Sequence, residues 1–390
     1  MTIKGYSDPF FNRVREAFIS NFYDDLELGA ALSIYIDGDL VVDIWGGVRD
    51  EQTQENWEDD TLVNVFSTTK GLTALCCHRL REEGLLDFGQ KVSHYWPEFS
   101  GGTRDDITVG MCLSHQSGMA AIREDLEGGS LYSWSLMCEH LSKEEPWWSP
   151  GRGHGYHPVT FGWLLGEVIR RVTNKCISDV FSEYFALPLN LTATFGLRPE
   201  DDRKVARLKQ SDVIPTDLAS REFLRTLVRQ PTGILSRAFG NPPTLLTGGN
   251  SRAWRRALLP AVNGHTDATS LAKLYGGLAR GGEIEGVHLL ANDSLKLCYS
   301  LQSTGYDRVL GIESNFSYGF MVNNPGVGVA FGPGQRVFGH PGAGGSLAFA
   351  DMDQRLGFAY VMNLMGHKLF LDPRVDSIIK ALYDCLDNKS

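Results

Sequence analysis

The hydrophobic and polar positions of residues 31–48 (ALSIYIDGDLVVDIWGGV) predict two paired strands. Two apolar stretches flank Asp37-Gly38, a dipeptide that readily supplies the positive φ angles of a tight hairpin turn. Residues 1–23, which precede this hairpin, are interrupted by Pro9 and by charges. The pattern therefore predicts that the chain opens with a helix and continues into a β-hairpin.

The middle of the chain has the spacing of helices. From residue 70 to about residue 189, apolar side chains recur three and four positions apart. Residues 201–250 are charged and then rich in Pro, Gly and Thr, which is typical of a surface excursion and predicts no particular element. A helix is predicted again over residues 270–278, with Thr266 or Asp267 as its cap.

The C-terminal part of the chain returns to strands. Residues 346–350 and 356–362 are predicted to form a second hairpin, and Pro373 takes the favoured first position of a terminal amphipathic helix, 374–386. Strands at both ends with helices between them predict an α/β (α+β) fold. In this fold an antiparallel sheet of N- and C-terminal segments is flanked by helices, and a mostly helical lobe is inserted into it.

The 390 residues alone would suit two or three domains of roughly 150 residues each. The order of elements instead predicts a single unit over residues 1–390. Its sheet lobe is predicted over about residues 1–65 plus 265–390, and its helical lobe over about residues 66–264.

Composition and charge exclude several classes of protein. Hydrophobic residues make up 42% of the chain and charged residues 22%, which is normal for a globular protein and excludes disordered, collagen-like and coiled-coil chains. The net charge of -10 disfavours binding to nucleic acid, because an acidic surface repels phosphates. The chain is therefore expected to be globular and to have no nucleic-acid partner.

Cysteine usage and hydropathy bear on the cellular compartment. The seven cysteines have no CxxC spacing, which favours free buried thiols over a disulfide framework or a zinc site. We find neither a signal-peptide pattern nor an apolar run of the roughly 20 residues that a membrane span needs. The expectation is a soluble, cytoplasmic protein with no membrane partner.

Ser67 and Lys70 are the first candidates for chemistry. If a helix begins at Ser67, Lys70 lies one turn later on the same face, and amides at the helix end can stabilise an anion beside the hydroxyl. The same Ser-x-x-Lys spacing at Ser270 and at Ser377 resembles ordinary helix interiors, so spacing alone is weak evidence. The alternative role of Ser67 is a helix cap.

Other hydrolase signatures are absent from the sequence. No serine has the G-x-S-x-G setting of an α/β-hydrolase nucleophile. The ten histidines show no H-E-x-x-H or comparable metal-binding spacing, and His154 and His157 have no carboxylate nearby in the sequence. No metal site is therefore predicted.

The order of several motifs along the chain is more specific than any one of them. Ser67-Thr-Thr-Lys70 is followed by residues 113–119 (LSHQSGM), by Tyr156-His-Pro158 and by residues 340–346 (HPGAGGS). This order resembles the serine β-lactamase and penicillin-binding-protein-like superfamily. Within it, the chain most closely resembles the class C β-lactamase-like esterases called family VIII carboxylesterases. The resemblance implies a β-lactamase/transpeptidase-like fold with its active site at the junction of the two lobes.

The resemblance also implies roles for single residues. Ser67 corresponds to the acylated nucleophile, and Lys70 to the residue that eases its deprotonation. Tyr156 corresponds to the tyrosine of the second motif. Because a phenol is a poor base unless positive charge lowers its pKa, we expect Lys70 to lower the pKa of Tyr156, so that the two act as one acid/base unit. The amides of Ser67 and Ala343 would form the oxyanion hole.

Two departures from the lactamase pattern bear on the substrate. His340 in the third motif, His340-Pro341-Gly342, stands where lactamases have a lysine, and a histidine there is mostly neutral at pH 7. Pro158 stands where the second motif has an asparagine, and proline offers neither a side-chain donor nor an N–H. Both changes favour an uncharged ester over a β-lactam or a peptide.

Aromatic and histidine side chains could add walls to the site. We interpret Trp134, Trp147 and Trp148 either as an acyl pocket or as packing of the helical lobe. His157 and His265 are further candidate contacts, and the turn containing His115 and Ser117 is expected to satisfy buried backbone.

The resemblance thus implies a serine carboxylesterase that hydrolyses small short-acyl esters through an acyl-enzyme. It is expected to need no metal or organic cofactor, its expected partner is the ester itself, and a homo-oligomer is compatible with the sequence. Two alternatives stay open. An acyltransferase, a weak β-lactamase or a D-amino-acid peptidase could use the same acyl-enzyme, or the fold could serve as a non-catalytic binding protein.

Overall fold

The computed structural model of the chain describes residues 2–24, 26–245, 247–324, 329–369 and 371–387. Its strands are β1 (Ile3–Ser7), β2 (Gly29–Ile36), β3 (Asp39–Asp50), β4 (Glu55–Asn56), β5 (Val63–Asn64), β6 (Ala193–Phe195), β7 (Lys209–Gln210), β8 (Gly264–Thr266), β9 (Glu283–Ile284), β10 (Val287–His288), β11 (Ser303–Tyr306), β12 (Glu313–Phe316), β13 (Met321–Val322), β14 (Val337–Pro341), β15 (Leu347–Asp351), β16 (Leu356–Met362) and β17 (Leu364–Met365). Its α-helices are α1 (Asn12–Tyr23), α2 (Thr69–Glu82), α3 (Val92–Tyr95), α4 (Val109–Leu113), α5 (Trp134–Lys143), α6 (Thr160–Thr173), α7 (Ile177–Phe181), α8 (Leu187–Leu189), α9 (Leu218–Arg229), α10 (Ile234–Gly240), α11 (Arg252–Arg256), α12 (Ala268–Ala279), α13 (Asn292–Tyr299) and α14 (Pro373–Asp387).

Strands from both ends of the chain build one ten-stranded antiparallel sheet. Its order is β1-β3-β2-β16-β15-β14-β13-β12-β11, and β4 pairs with β3 outside this path. The two ends of the chain meet between β2 and β16, where Leu32 pairs with Tyr360 and Ile34 with Phe358. The predicted α/β fold with a sheet of N- and C-terminal segments is therefore confirmed. The lobe boundaries near residues 65 and 265 stay a prediction.

Local signals in the sequence explain where several elements begin and end. Asp37 and Gly38 have φ angles of 53° and 91°, as the turn between β2 and β3 requires. The Asp267 side chain accepts a hydrogen bond from the Ser270 amide, so Asp267 caps α12. The predicted C-terminal hairpin is β15 and β16, and the terminal helix is α14. Residues 201–250, for which no element was predicted, contain β7, α9 and α10.

Helices cover both faces of the sheet because its central strand β16 is apolar on both sides. Phe358 and Tyr360 pack in a cluster with α1 and α14, whereas Ala359 and Val361 pack in a second cluster with α12. This alternation follows from the period of two along a strand. On one face of the sheet, β14 contacts α2.

Three general features of the described residues bear on function. None of the helices within them is long and apolar enough to cross a membrane. The same residues contain no group of three or more His, Cys, Asp or Glu side chains that could hold a metal ion. All seven cysteines are free thiols, as the absence of paired spacing predicts, and six of them are buried.

The close contact between β16 and α12 gives a stability prediction. A Cβ added at Gly357 would lie 2.1 Å from the Gly276 amide nitrogen and 2.4 Å from the Ala272 carbonyl oxygen. Because both are backbone atoms, α12 would have to move off the sheet. We expect Gly357→Ala to lower the free energy of unfolding by about 3 kcal/mol, measured by urea denaturation.

Gly129→Ala is the matched control for this prediction, because a Cβ there meets nothing within 4 Å. Its free energy of unfolding should stay within about 0.5 kcal/mol of the unchanged protein. Equal stability of Gly357→Ala and Gly129→Ala would contradict the close contact.

Candidate active site

Ser67 lies at the sharp turn between β5 and α2. The preceding residue, Phe66, has a φ angle of 44°, in the left-handed region that bulky side chains rarely adopt. The Val65 amide donates to the Gly264 carbonyl (3.0 Å), which fixes the chain up to the turn. The N-cap of α2 is Thr68, which makes no side-chain capping bond, so the geometry does not support a capping role for Ser67. Such local strain is typical of functional sites.

Lys70 reaches from the first turn of α2 into a buried position beside Ser67. Its side chain is fully buried, and Nζ lies 3.1 Å from the Ser67 hydroxyl oxygen. Nζ also donates to the carbonyl oxygens of Pro158 (2.7 Å) and Ala261 (3.0 Å). Among the described residues no carboxylate forms an ion pair with Lys70. The amine is thus held by one hydroxyl and two neutral acceptors.

This environment favours the neutral amine. Burial lowers the pKa of Lys70 well below its ordinary value, because the charged form loses its hydration without gaining a counter-ion. A neutral amine has two N–H bonds and one lone pair. The two N–H bonds match the carbonyls of Pro158 and Ala261, so the lone pair is left facing Ser67.

Tyr156 lies against Lys70, but its pKa moves in the opposite direction to our expectation. Nζ of Lys70 is 4.7 Å from the centroid of the Tyr156 ring. Burial raises the pKa of Tyr156 well above its ordinary value, and this outweighs the lowering effect of a hydrogen bond with Ser67. The expected lowered pKa is therefore wrong, because desolvation of the buried phenol outweighs every effect that lowers its pKa. The phenol stays protonated.

The segment that carries Tyr156 is fixed by the buried carboxylate of Asp307. The Tyr156 amide donates to both carboxylate oxygens (3.0 Å each), and the amides of Val309 and Leu310 donate to Oδ1 (2.9 Å each). The Ser314 hydroxyl donates to Oδ2 (3.0 Å). Asp307 therefore joins the Tyr156 segment to the loop between β11 and β12.

A second polar chain supports the same segment from behind. The ring Nδ1 of His157 donates to the Gly155 carbonyl (2.7 Å), so its Nε2 accepts from the Ser117 hydroxyl (2.7 Å). The His157 amide donates to Nδ1 of His115 (3.2 Å), and Ser117 accepts from the Met119 amide (3.2 Å). The prediction that His115 and Ser117 satisfy buried backbone is confirmed. His157 itself is buried with both ring nitrogens engaged.

The third motif reaches Ser67 through a glycine turn after β14. A Cβ at Gly342 would lie 2.1 Å from the Val65 carbonyl oxygen and 3.0 Å from Oγ1 of Thr68. The Ser346 hydroxyl donates to the Val65 carbonyl (2.9 Å) and lies 3.3 Å from Oγ1 of Thr68. The turn is thus bonded to residues on both sides of Ser67, and only glycine fits at residue 342.

Two amides at this junction have no acceptor among the residues that the structure describes. Within the described ranges, neither the Ser67 amide nor the Ala343 amide donates a hydrogen bond, and Ala343 is exposed. Free amides beside a nucleophile are what an oxyanion hole requires.

Comparison with known proteins identifies the family. A sequence model described as Beta-lactamase matches residues 18–379. The chain is 33% identical over 365 residues to the Esterase/beta-lactamase LipL of Mycobacterium tuberculosis (strain ATCC 25618 / H37Rv), covering 92% of this chain and 82% of that protein. The chain belongs to the β-lactamase family. As a member of this family it is a serine hydrolase.

Two solved structures extend the likeness to the whole β-lactamase fold. A crystal structure of a family VIII carboxylesterase is 37% identical, with a TM-score of 0.89 over 99% of this chain and 100% of that one. A penicillin-binding protein homologue from Caulobacter crescentus is 35% identical, with a TM-score of 0.88 over the same shares of the two chains.

The third-motif histidine of this β-lactamase family member is neutral, as the sequence predicts. Burial lowers the pKa of His340 to about 3, and the ring centroid lies 5.9 Å from that of Tyr156. Its Nδ1 donates to the Pro341 carbonyl (2.7 Å), which leaves Nε2 as an acceptor. His340 therefore brings no positive charge to the site.

The remaining candidate residues lie in three separate places. Trp134 donates to Glu167 on α6 (2.8 Å), so it is bound into the helical packing. Trp147 donates to the Ala121 carbonyl, whereas the Trp148 ring lies 5.9 Å from the His157 ring. His265 is buried in β8, where it pairs with β5 and β6.

Sequence reasoning missed Asp307 and the Ala261 carbonyl. Asp307 is 151 residues from Tyr156 and belongs to no recognisable motif. Ala261 contributes a main-chain atom, which no side-chain pattern can reveal. The residues around Asp307, including the adjacent Arg308, offer no sequence signal that sets this carboxylate apart.

We expect Asp307→Asn to loosen the Tyr156 segment. The substitution replaces one acceptor oxygen with an amide group that cannot accept the converging N–H and O–H bonds. Losing hydrogen bonds to a charged group corresponds to a roughly tenfold or larger effect. The rate at which a fluorophosphonate labels Ser67 should fall about tenfold, and amide hydrogen exchange at residues 154–158 should accelerate.

Asp293→Asn is the control, because the Asp293 side chain is 87% exposed on α13. It should leave the labelling rate and the exchange unchanged. Unchanged labelling in Asp307→Asn would refute the role assigned to this carboxylate.

Proposed function

We propose that this protein is a serine carboxylesterase that hydrolyses small, short-acyl carboxylic esters through an acyl-enzyme on Ser67. The observation that carries the proposal is the buried Lys70 amine, 3.1 Å from the Ser67 hydroxyl and held by two carbonyl oxygens. The named activities of two relatives, an esterase/β-lactamase and a family VIII carboxylesterase, support the same reaction class.

Acylation begins at the Ser67 hydroxyl. Its proton passes to the lone pair of Lys70 while its oxygen attacks the ester carbonyl. The amides of Ser67 and Ala343 donate to the oxyanion that forms, and each such donor contributes about 3 kcal/mol to catalysis. Lys70 alone is thus the general base, whereas from the sequence we expected Lys70 and Tyr156 to share this role.

Tyr156 acts as the general acid. Because burial keeps its phenol protonated, it can give that proton to the leaving alcohol as the ester C–O bond breaks. The Lys70 ammonium, 4.7 Å from the ring centroid, then returns a proton to the phenolate. Water repeats the sequence on the acyl-enzyme and releases the carboxylic acid.

The charges around Ser67 favour an uncharged substrate. His340 is neutral at physiological pH, and the neutral form of Lys70 is favoured by burial. Pro158 offers its carbonyl to Lys70 and has no side-chain amide for a β-lactam or a peptide. An anionic antibiotic therefore finds no cationic partner in these groups.

The central test is Ser67→Ala. Removing the nucleophile should abolish hydrolysis of p-nitrophenyl acetate and butyrate, by at least about 1000-fold in kcat/KM. Intact-mass detection of the acyl adduct on the unchanged enzyme measures the intermediate itself. Ser377→Ala, which alters the same Ser-x-x-Lys spacing inside α14, should retain activity.

Three outcomes would count against the proposal. Full activity of Ser67→Ala would exclude the nucleophile, and failure of a fluorophosphonate to label the folded protein would favour a non-catalytic role. Faster turnover of nitrocefin than of the esters would indicate a β-lactamase.

The lowered pKa of Lys70 gives a pH prediction. Protonation removes the lone pair, so acylation should fall as the pH drops through the pKa of Lys70 in the folded protein. Because burial places that pKa well below 10.5, the rate should reach its plateau well below pH 10.5. Stopped-flow acylation by p-nitrophenyl acetate over a range of pH values measures this profile.

Lys70→Arg should reduce acylation about 100-fold or more at every pH, because a guanidinium stays protonated. Lys273→Arg is the control, since Lys273 pairs with Glu285 outside the site. A profile that rises only above pH 10, or an active Lys70→Arg, would exclude Lys70 as the base.

A further inference from the structure

A buried guanidinium contacts the turn that carries Ala343. Arg374, at the beginning of α14, is 4% exposed, and its Nη2 donates to the Gly344 carbonyl (2.6 Å). The Gly366 amide donates to the same oxygen (2.9 Å). The residue after the proposed oxyanion amide is therefore bonded from outside the site.

We propose that Arg374 is a positioning residue that orients the Ala343 amide toward the oxyanion through two successive peptide planes. This inference rests on the esterase function proposed above. Neither the resemblance of the motifs nor any of the site contacts already described assigns a role to Arg374.

The first plane is the peptide between Gly344 and Gly345. In a trans peptide the C=O and the N–H point in opposite directions. The C=O accepts from Arg374, and on the other side the Gly345 amide donates to the Gly342 carbonyl (3.2 Å). Fixing one end of this plane therefore aims the other end at Gly342.

The second plane is the peptide between Gly342 and Ala343. Its C=O points to the Gly345 amide inside the turn, so its N–H, which is the Ala343 amide, points away from the turn. The Gly342 amide donates to the Ser346 carbonyl (2.6 Å) and fixes the residue that precedes this plane. Hydrogen bonds and peptide planes thus connect Arg374 to the Ala343 amide without a break. Because aligned hydrogen bonds polarise one another, we expect this series to strengthen the Ala343 N–H as a donor.

The turn has little room to adopt another shape. Gly344 and Gly345 have φ angles of 91° and 125°, which side chains with a Cβ rarely adopt. A Cβ at Gly344 would lie 2.5 Å from Sδ of Met365, and one at Gly345 would lie 2.8 Å from Nη2 of Arg374. The guanidinium is therefore packed directly against the turn.

Two acidic side chains fix the orientation of the guanidinium. Asp372 accepts from Nε (2.8 Å) and from Nη2 (3.0 Å), which is the two-point pairing that a planar fork allows. Glu27, whose side chain is buried, accepts from Nη1 (3.0 Å). A lysine at residue 374 could keep the charge but not this set of directed bonds.

Arg374 also has bonds that serve stability alone. Its Nη1 donates to the carbonyl oxygens of Leu26 (3.1 Å) and Leu364 (2.9 Å). A loss of activity in a variant that has partly unfolded would therefore prove nothing about the oxyanion amide. The test needs a measurement that reports on transition-state binding in folded protein.

Arg374→Lys in the full chain provides this test, with p-nitrophenyl butyrate as substrate. Folded protein is first established by circular dichroism, and the active fraction by fluorophosphonate titration. We expect kcat per active site to fall about 10- to 100-fold while KM stays within about twofold, because the oxyanion exists only after attack. The inhibition constant of a trifluoromethyl ketone, whose adduct carries the same oxyanion, should rise by a similar factor.

Arg336→Lys is the matched control. Arg336 pairs with Asp353 at an exposed place near the other end of the β14–β15 hairpin. Its kcat, its KM and the ketone inhibition constant should equal those of the unchanged enzyme.

If Arg374→Lys does not fold, Asp372→Asn decides the question. Asparagine preserves the helix-capping character of the residue but removes the charge that aligns the guanidinium. We expect a smaller loss in kcat, about fivefold, with KM again unchanged.

The inference would be overturned if a folded Arg374→Lys kept the kcat and the ketone affinity of the unchanged enzyme. If Arg374→Lys does not fold, the same result in a folded Asp372→Asn would overturn it. So would a fall in kcat that leaves ketone affinity unchanged. Failure of the proposed function is distinguishable, because it would appear as an inactive unchanged enzyme or as an active Ser67→Ala, whatever the result at residue 374.

Discussion

The site depends on the burial of one amine. Moving an ammonium group out of water is costly unless a counter-ion follows it, and none of the described carboxylates pairs with Lys70. Burial therefore favours the neutral form of Lys70. Unlike the ammonium of a surface lysine, this neutral amine has a lone pair that can accept a proton. Two main-chain carbonyls and the Ser67 hydroxyl complete the hydrogen bonding of the Lys70 amine. These contacts offset the cost of burying the amine and hold it beside Ser67.

The fold is what makes this burial possible. The two carbonyl groups belong to Pro158 and Ala261, which are 88 and 191 residues from Lys70. One follows the Tyr156 segment, and the other precedes β8, which pairs with the strand leading to Ser67. The turn before α2 and the first turn of α2 therefore bring Ser67 and Lys70, the proposed nucleophile and base, to a place where three distant segments converge. Chemistry at this place needs long-range packing more than any property of α2 itself.

Features that depend on neighbouring residues could be predicted from the sequence. The Asp37-Gly38 turn, the apolar run of β16 and the spacing of Ser67 and Lys70 are local, and the order of the motifs identified the fold. The contacts of Asp307 and Arg374 could not be predicted, because each acts on main-chain atoms of a segment 30 to 151 residues away. The pKa of Tyr156 was predicted in the wrong direction for a related reason. Spacing indicates which groups meet, whereas desolvation depends on everything else around them.

The Glu27 carboxyl beside Arg374 has a further electrostatic consequence. Burial raises the pKa of Glu27 to about 8. Arg374 acts to lower this pKa, and the neighbouring Asp372 carboxylate acts to raise it. The raised pKa favours the protonated form of Glu27, and in that form the group of Glu27, Asp372 and Arg374 carries no net charge. The turn that is proposed to stabilise a developing anion then lies against a group without net charge, so no excess negative charge beneath the turn opposes the proposed oxyanion.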